Sequence, residues 1–306
     1  MTTPPYRGSL LRWLFPHRHI EPEDSPKTSP IFDEPWRNIS WGDTASSLQY
    51  VQNFQPENKD ISHLRILLYG PIGAGKSSFI NSVSNVMRRR MTCPALASSS
   101  VQSGHSFTKQ FQTHKIRRGQ GNPRTFCPFV FNDIMGLEEG EGEGVRAEDL
   151  NLALKGHVKE GYKFNPVSSL SNDDPYYNSA PSLDDRVHVL VCVLSAAYAE
   201  VKESILQKMA NTREAASNLG IPQIGIITNI DQACEETEKD LKNVYKSKHL
   251  KMKMKDFSTA VGLPLNCIFP VKNYSEEIEL NDNVDALILS TLRQMIDFGD
   301  DFTDMN

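Results

Sequence analysis

Closely spaced cysteine pairs are missing from this sequence. Its five cysteines, Cys93, Cys127, Cys192, Cys234 and Cys267, stand singly, which excludes a CxxC-type zinc or redox motif and argues against a disulfide framework. Cys127, Cys192 and Cys267 fall inside apolar, strand-like runs, a setting that suits reduced and buried thiols. Long hydrophobic runs are missing too. The longest, "VLVCVLSAAYA" at 189–199, is too short to cross a bilayer, and "SLLRWLF" near the start is brief and interrupted by Arg12. Neither a transmembrane segment nor a signal peptide is therefore expected, and the location implied is cytoplasmic. Nor is there an excess of positive charge. The net charge of −5 offers no global reason to bind nucleic acid or an anionic membrane, and no nucleic-acid partner is expected. Basic character is local: Arg7, Arg12 and Arg18 in the first twenty residues, and Arg88, Arg89 and Arg90 at the expected end of a helix. Cations there complement the helix dipole.

What is present divides the chain in two. Residues 1–35 are rich in Pro, Ser and charge, too poor in apolar groups to fold alone, and read as a disordered, basic, Pro-rich tail. Residues 36–306 read as one folded domain with a short helical approach over 36–60. Within the approach, Asp43 or Thr44 caps a helix that sets Leu48, Val51 and Phe54 on one face, and Pro56 ends it.

From residue 63 apolar runs alternate with helical patterns, the signature of crossover units. Strands are expected at 64–69, 107–115, 126–132, 187–194, 222–228 and 266–271. Helices are expected at 76–90, about 146–160, 200–219, 235–258 and 282–297, the last capped by Asn281 or Asp282. The acidic glycine stretch 138–144 and the polar segment 165–186 read as surface loops. The fold class is α/β, a three-layer arrangement with a mainly parallel sheet and helices on both faces.

The first of these strands runs into "GPIGAGKSS", in which Gly70, Gly75, Lys76 and Ser77 satisfy G-x-x-x-x-G-K-[ST]. Glycines at Gly70, Gly73 and Gly75, with Ala74 between, let the backbone wrap an anion with its N–H groups turned inward. The helix beginning at Lys76, Ser77 and Ser78 adds its positive end, Lys76 reaches the outer phosphates, and the Ser77 hydroxyl is offered to Mg²⁺. A nucleotide is thus expected. The strand at 126–132 ends in "NDIMG", where the Asp133 carboxylate can hold a Mg²⁺-bound water and the Gly136 N–H can sense a γ-phosphate. Thr108 in "SFTKQF" is either a second Mg²⁺ hydroxyl or an ordinary strand residue. In "IGIITNID", Thr228 and Asn229 lead to Asp231, whose carboxylate can accept hydrogen bonds from guanine N1–H and N2–H₂, groups that adenine lacks; it can also serve as a helix cap. The last strand brings Lys272 and Asn273 toward the base edge by its order alone.

With these pieces in sequence the chain resembles the Ras-like P-loop GTPases. It is more similar still to the interferon-induced protein 44-like family, which carries "LRILLYGPIGAGKSSFINSV", "SFTKQF", "NDIMGLEEG", "LKGHVKEGYKFNP", "DDRVHVLVCVL" and "LILSTLRQMIDFGDDF" in similar form. The resemblance implies a P-loop GTPase domain of an interferon-induced protein of antiviral innate immunity, with GTP or GDP and Mg²⁺ as cofactors. Longer members carry a TLDc domain ahead of this one; the tail is too short to hold it, and nothing of its function is expected here. Two departures stand out. The family base motif N-K-x-D reads Thr228-Asn229-Ile230-Asp231, so the lysine stem that covers the base is lost. The Gln that orients the attacking water after D-x-x-G is replaced by Leu137, which can neither donate nor accept a hydrogen bond. The expectation is a guanine-nucleotide binding protein that is a slow or partner-dependent GTPase switch, with self-association or an unnamed protein partner. The alternatives are a nucleotide-binding scaffold and an ATP-binding P-loop protein.

Overall fold

A computed structural model describes residues 29–95, 110–121, 123–139, 144–198 and 201–305. Its centre is a six-stranded sheet of β1 (Leu64–Tyr69), β2 (Gln112–Arg117), β3 (Phe126–Asp133), β4 (Val189–Ser195), β5 (Gln223–Thr228) and β6 (Ile268–Pro270). The spatial order is β2-β3-β1-β4-β5-β6. All pairings are parallel except β2 with β3, which is antiparallel at one edge. This is the strand order of a Ras-like G domain, in the mainly parallel sheet that the alternating pattern implies.

Alternation within the strands builds the layers. On β1, Leu64, Ile66 and Leu68 face one side while Leu67 and Tyr69 face the other; on β4, Val189, Val191 and Val193 oppose Leu190, Cys192 and Leu194. The first set packs against α1 (Thr44–Asn53), α2 (Lys76–Arg88) and α8 (Asp282–Asp304). The second meets α3 (Ala147–Leu154), α4 (Glu203–Asn218) and α7 (Lys248–Val261). On α7 the buried positions Leu250, Met254, Phe257 and Val261 form one stripe, as an amphipathic helix against a sheet requires.

Several boundaries differ from the sequence reading for identifiable reasons. The single helix expected at 235–258 breaks into α6 (Glu235–Lys239), a 3₁₀ turn and α7, and a separate short helix, α5 (Ile230–Ala233), precedes it. Extended backbone at Asp240 interrupts it, and Asp240 and Ser247 each accept a hydrogen bond from a backbone N–H at the start of the next turn. The helix expected to 160 stops at Leu154, and β2 begins at Gln112 rather than 107; residues 107–109 lie outside those described. The last helix runs on to Asp304, capped by Asn281, whose side chain accepts from the Asn283 and Val284 N–H groups. Cys267, expected among the buried thiols, is only half-buried.

Ahead of residue 36 the chain is already joined to the domain. Ile31 bridges Ser247, and the Phe32 N–H donates to Lys246 O at 2.8 Å. Arg89 is also more than a solvated cation. It ends α2 in a left-handed turn (φ 53°) and sets a guanidinium nitrogen 2.7 Å from the buried Asp285 carboxylate, tying α2 to α8. A cavity of about 470 Å³, bordered by Leu154, His157, Leu219 and Phe302, sits where α3, α4 and α8 end, opposite the strand ends that carry the candidate site. Among the described residues no helix is long and apolar enough to cross a membrane.

Candidate nucleotide site

The mutually parallel strands β1, β3, β4, β5 and β6 bring the loops after β1, β3, β5 and β6 to one end of the sheet. Gly70 to Gly75 form the loop between β1 and α2. Gly75 carries φ +93°, and a Cβ there would lie 2.9 Å from the Asn273 amide nitrogen. A side chain is thus strained by conformation and would also displace the Asn273 amide behind the loop.

Lys76 opens α2 and is buried, 7% exposed. Its ammonium donates to the carbonyl oxygens of Gly70 and Pro71, both at 3.0 Å. Burial pushes its pKa below the ordinary lysine value, against the pull of the nearby Asp133 charge. The hydrogen-bond partners of this buried cation are therefore neutral carbonyls, at the positive end of a 13-residue helix. Both features suit an anion.

Asp133 ends β3 opposite Leu68 of β1 and is itself buried. The Ser77 hydroxyl donates to its Oδ2. Two of the three expected Mg²⁺ positions are thus brought together; Thr108 lies outside the described residues. Hydroxyl and carboxylate oxygens are donors suited to a hard divalent cation. Among the described residues no group of three or more His, Cys, Asp or Glu side chains could hold a metal unaided, so such an ion would need phosphate oxygens and water to complete its shell.

Gly136 lies against the phosphate loop. A Cβ on it would come within 2.6 Å of Ile72 Cγ1 and 2.9 Å of the Ile72 nitrogen, a close approach that only glycine permits. The next residue continues the contact: Leu137 N–H donates to Gly70 O at 3.0 Å and Leu137 forms a parallel bridge with Pro71. The Leu137 side chain is 1% exposed and packs in the core layer that holds Tyr69, Ile134 and Leu150. It does not face the site. From the loop after β4, the Tyr198 hydroxyl donates to Ile72 O. The sequence carries no motif that marks Tyr198 as a support of this loop.

On the other flank, Thr228 is fully buried at the end of β5, and its hydroxyl donates to Ala74 O at 2.7 Å. The residue that departs from the usual Asn thus holds the phosphate loop to the base side. Thr228→Val is expected to leave Ala74 O without this donor and weaken nucleotide binding about fivefold, within the ~1 kcal/mol of a neutral hydrogen bond; equilibrium titration with a fluorescent GTP analogue reads it. Asn229 takes the left-handed conformation (φ 53°) that starts α5, leaving Asp231 in the first turn. Ser78 lies one step into α2 and its carbonyl accepts from Ser82.

β6 lies beside β5, with Val271 N–H donating to Ile227 O at 2.8 Å. This brings the next two residues to the base flank. Lys272 Nζ is 3.3 Å from Asp231 Oδ2 and 2.9 Å from Glu277 Oε1. Burial alone would raise the Glu277 carboxyl, but hydrogen bonds from the Ser275 N–H and from Lys272 bring it down to about 2. Glu277 carries no motif signal; it stands a few positions after Lys272, and the turn of the loop between them closes the pair. Asn273 donates its amide to Gly75 O at 3.2 Å, while its Oδ1 is buried with no hydrogen-bond partner among the described residues.

No protein-family profile matches the chain. Interferon-induced protein 44 of Pan troglodytes is 34% identical over 258 residues, covering 84% of this chain and 57% of the relative. Human interferon-induced protein 44-like is 30% identical over 253 residues, 82% of this chain and 55% of its own length. The chain thus spans little more than half the length of these relatives. Among solved structures, Toc33 of Arabidopsis thaliana in complex with GDP and Mg²⁺ is similar at a TM-score of 0.46 and 15% identity, with 85% of this chain and 96% of that one covered. Era of Aquifex aeolicus bound to GDP·AlF₄⁻ gives 0.38 and 11%, over 78% of this chain and 57% of that one. By the region it shares with those relatives, the chain belongs to the family of interferon-induced protein 44 and 44-like proteins.

Proposed function

We propose that this chain binds a guanine nucleotide, GTP or GDP, together with Mg²⁺, and acts in the cytoplasm in antiviral innate immunity; its relatives' names carry the interferon induction. The observation that carries the binding claim is the buried Lys76 ammonium, hydrogen-bonded to the Gly70 and Pro71 carbonyls at the start of α2. In this reading Gly70, Gly73, Ala74, Gly75, Lys76, Ser77 and Ser78 cradle the phosphates. Ser77 and Asp133, with Thr108, hold the ion, and Gly136 lies beside the outer phosphate. Thr228, Asn229, Asp231, Lys272 and Asn273 form the base flank. The bound ion would neutralise phosphate charge; the chain's own residues bind, orient and screen the nucleotide. Identifying the nucleotide released from purified, denatured protein tests the reading, and recovery of ATP alone would replace guanine with adenine.

A nucleotide-binding scaffold without significant hydrolysis is favoured over a competent GTPase by one observation: the residue at the water-orienting position, Leu137, is in the core. A hydrolytic role would need a group from another loop, from a second copy or from a partner protein.

The carboxylate of Asp231 supplies the guanine discrimination in this reading. Asp231→Asn is expected to weaken GTP binding roughly a hundredfold, the range of hydrogen bonds to a charged group, and to turn the preference toward xanthosine nucleotides, whose C2 carbonyl accepts from the new amide. Competition between GTP and XTP for the variant checks it; a variant that still prefers GTP would place base recognition elsewhere.

A further inference from the structure

Asp231 does not wait alone at the base flank. Lys272 stands 3.3 Å from its Oδ2, and Glu277, at 2.9 Å, anchors the same ammonium from the other side. Lys272 arrives from the loop after β6 and Asp231 from the turn after β5, two parallel neighbours, so the pair is fixed by the sheet. Both side chains are about three-quarters buried, at 25% and 22% exposure. An ammonium has three donors; these two carboxylates account for two.

We infer that the Lys272 side chain is a specificity-determining residue that reads O6 of guanine beside the Asp231 carboxylate, an assignment that rests on the guanine-nucleotide reading above. Guanine presents along one edge an acceptor, O6, followed by two donors, N1–H and N2–H₂. A carboxylate with an ammonium next to it is the matching sequence: two acceptor oxygens for the two donors, and an N–H for O6. Adenine in the same position reverses both neighbours. Its 6-amino group meets the ammonium, donor against donor, and its N1 lone pair meets the carboxylate. Shifting adenine to pair its amino group with Asp231 uses one donor and leaves the second carboxylate oxygen unmatched. Specificity built on leaving buried polar groups unpaired discriminates strongly. Glu277 is a positioning residue here: it holds the ammonium at Asp231 without facing the base.

The experiment compares binding of GDP with binding of the 5′-diphosphate of 2-aminopurine riboside, which keeps N2–H₂ and lacks both O6 and N1–H, by calorimetry on wild type, Lys272→Met and Lys272→Arg; the missing N1–H is common to all three proteins, so the difference between their losses reads the O6 contact. Wild type is expected to bind GDP more tightly than the O6-lacking analogue. Lys272→Met is expected to lower GDP affinity about tenfold or more, as for a hydrogen bond from a charged donor, while leaving the analogue within about twofold. Lys272→Arg, which keeps charge and donors, is expected to recover most of the loss, and thermal unfolding without nucleotide confirms that each variant is folded. Equal losses for GDP and analogue overturn the inference and make Lys272 a structural partner of Asp231 only. A wild type that binds ADP and no guanine nucleotide overturns the guanine reading itself, and the role of Lys272 at O6 falls with it.

Discussion

Lys76→Ala is expected to abolish nucleotide binding while leaving the folded protein at least as stable as before. The two effects have opposite sign because the ammonium is buried and hydrogen-bonded to the Gly70 and Pro71 carbonyls. Burial lowers its pKa from the ordinary value, so holding the charged form in the free protein is a cost. Removing the amine removes that cost, at the expense of two neutral-acceptor hydrogen bonds whose carbonyls then look toward a cavity large enough for water. In the complex the same ammonium would meet phosphate oxygens. Two charge-assisted bonds, each worth about 1.5–3 kcal/mol, amount to a loss of roughly a thousandfold in affinity. Differential scanning in the presence and absence of GDP reads both terms. At a hundred times Kd, wild type should gain about 2.7 kcal/mol from ligand; the variant should gain nothing and unfold no earlier than ligand-free wild type. An unchanged ligand-induced shift would remove the phosphate loop from the site.

How far the sequence carries depends on whether a feature is local. The phosphate loop, β1 and α2 are legible because strand, glycine turn and helix start are adjacent in the chain, and β1 spans 64–69 as its apolar run indicates. The break of 235–258 into short helices is legible only in part: Asp240 and Ser247 are capping residues by type, but no Gly or Pro stands within the stretch to mark the interruption. The contacts that complete the site are of another kind. Tyr198 reaches Ile72 across 126 positions, Asn273 reaches Gly75 across 198, and Lys272 meets Asp231 from beyond a strand only three residues long. None has a periodicity or motif, because each depends on sheet order. Thr228 shows the limit most clearly. Read as a motif it is a lost Asn; in three dimensions its hydroxyl holds Ala74 O at 2.7 Å, a link a pattern match scores as missing.

Leu137 is the position at which a pattern match misleads in the opposite direction. Installing the Gln usual in Ras-like GTPases by Leu137→Gln is the obvious attempt to gain hydrolysis, and it is expected to fail. The Leu137 side chain is 1% exposed and packs with Tyr69, Ile134 and Leu150, while its backbone N–H is fixed to Gly70 O and its neighbour Gly136 is pressed against Ile72. An amide placed there has no water to orient and no room to turn outward without breaking the Pro71 bridge. Burying it unpaired costs about 1–3 kcal/mol. The variant should therefore unfold at lower urea by about 2 kcal/mol and show single-turnover GTP hydrolysis no faster than wild type when both are dilute. Wild type itself should turn over very slowly under those conditions, since the Leu137 side chain can neither donate to nor accept from an attacking water. A tenfold gain in the variant would show that this segment leaves the core when nucleotide binds, and rapid hydrolysis by dilute wild type would show that a group other than residue 137 orients the water. Rates that rise with protein concentration, in wild type and variant alike, would instead place the catalytic group on a second copy of the chain.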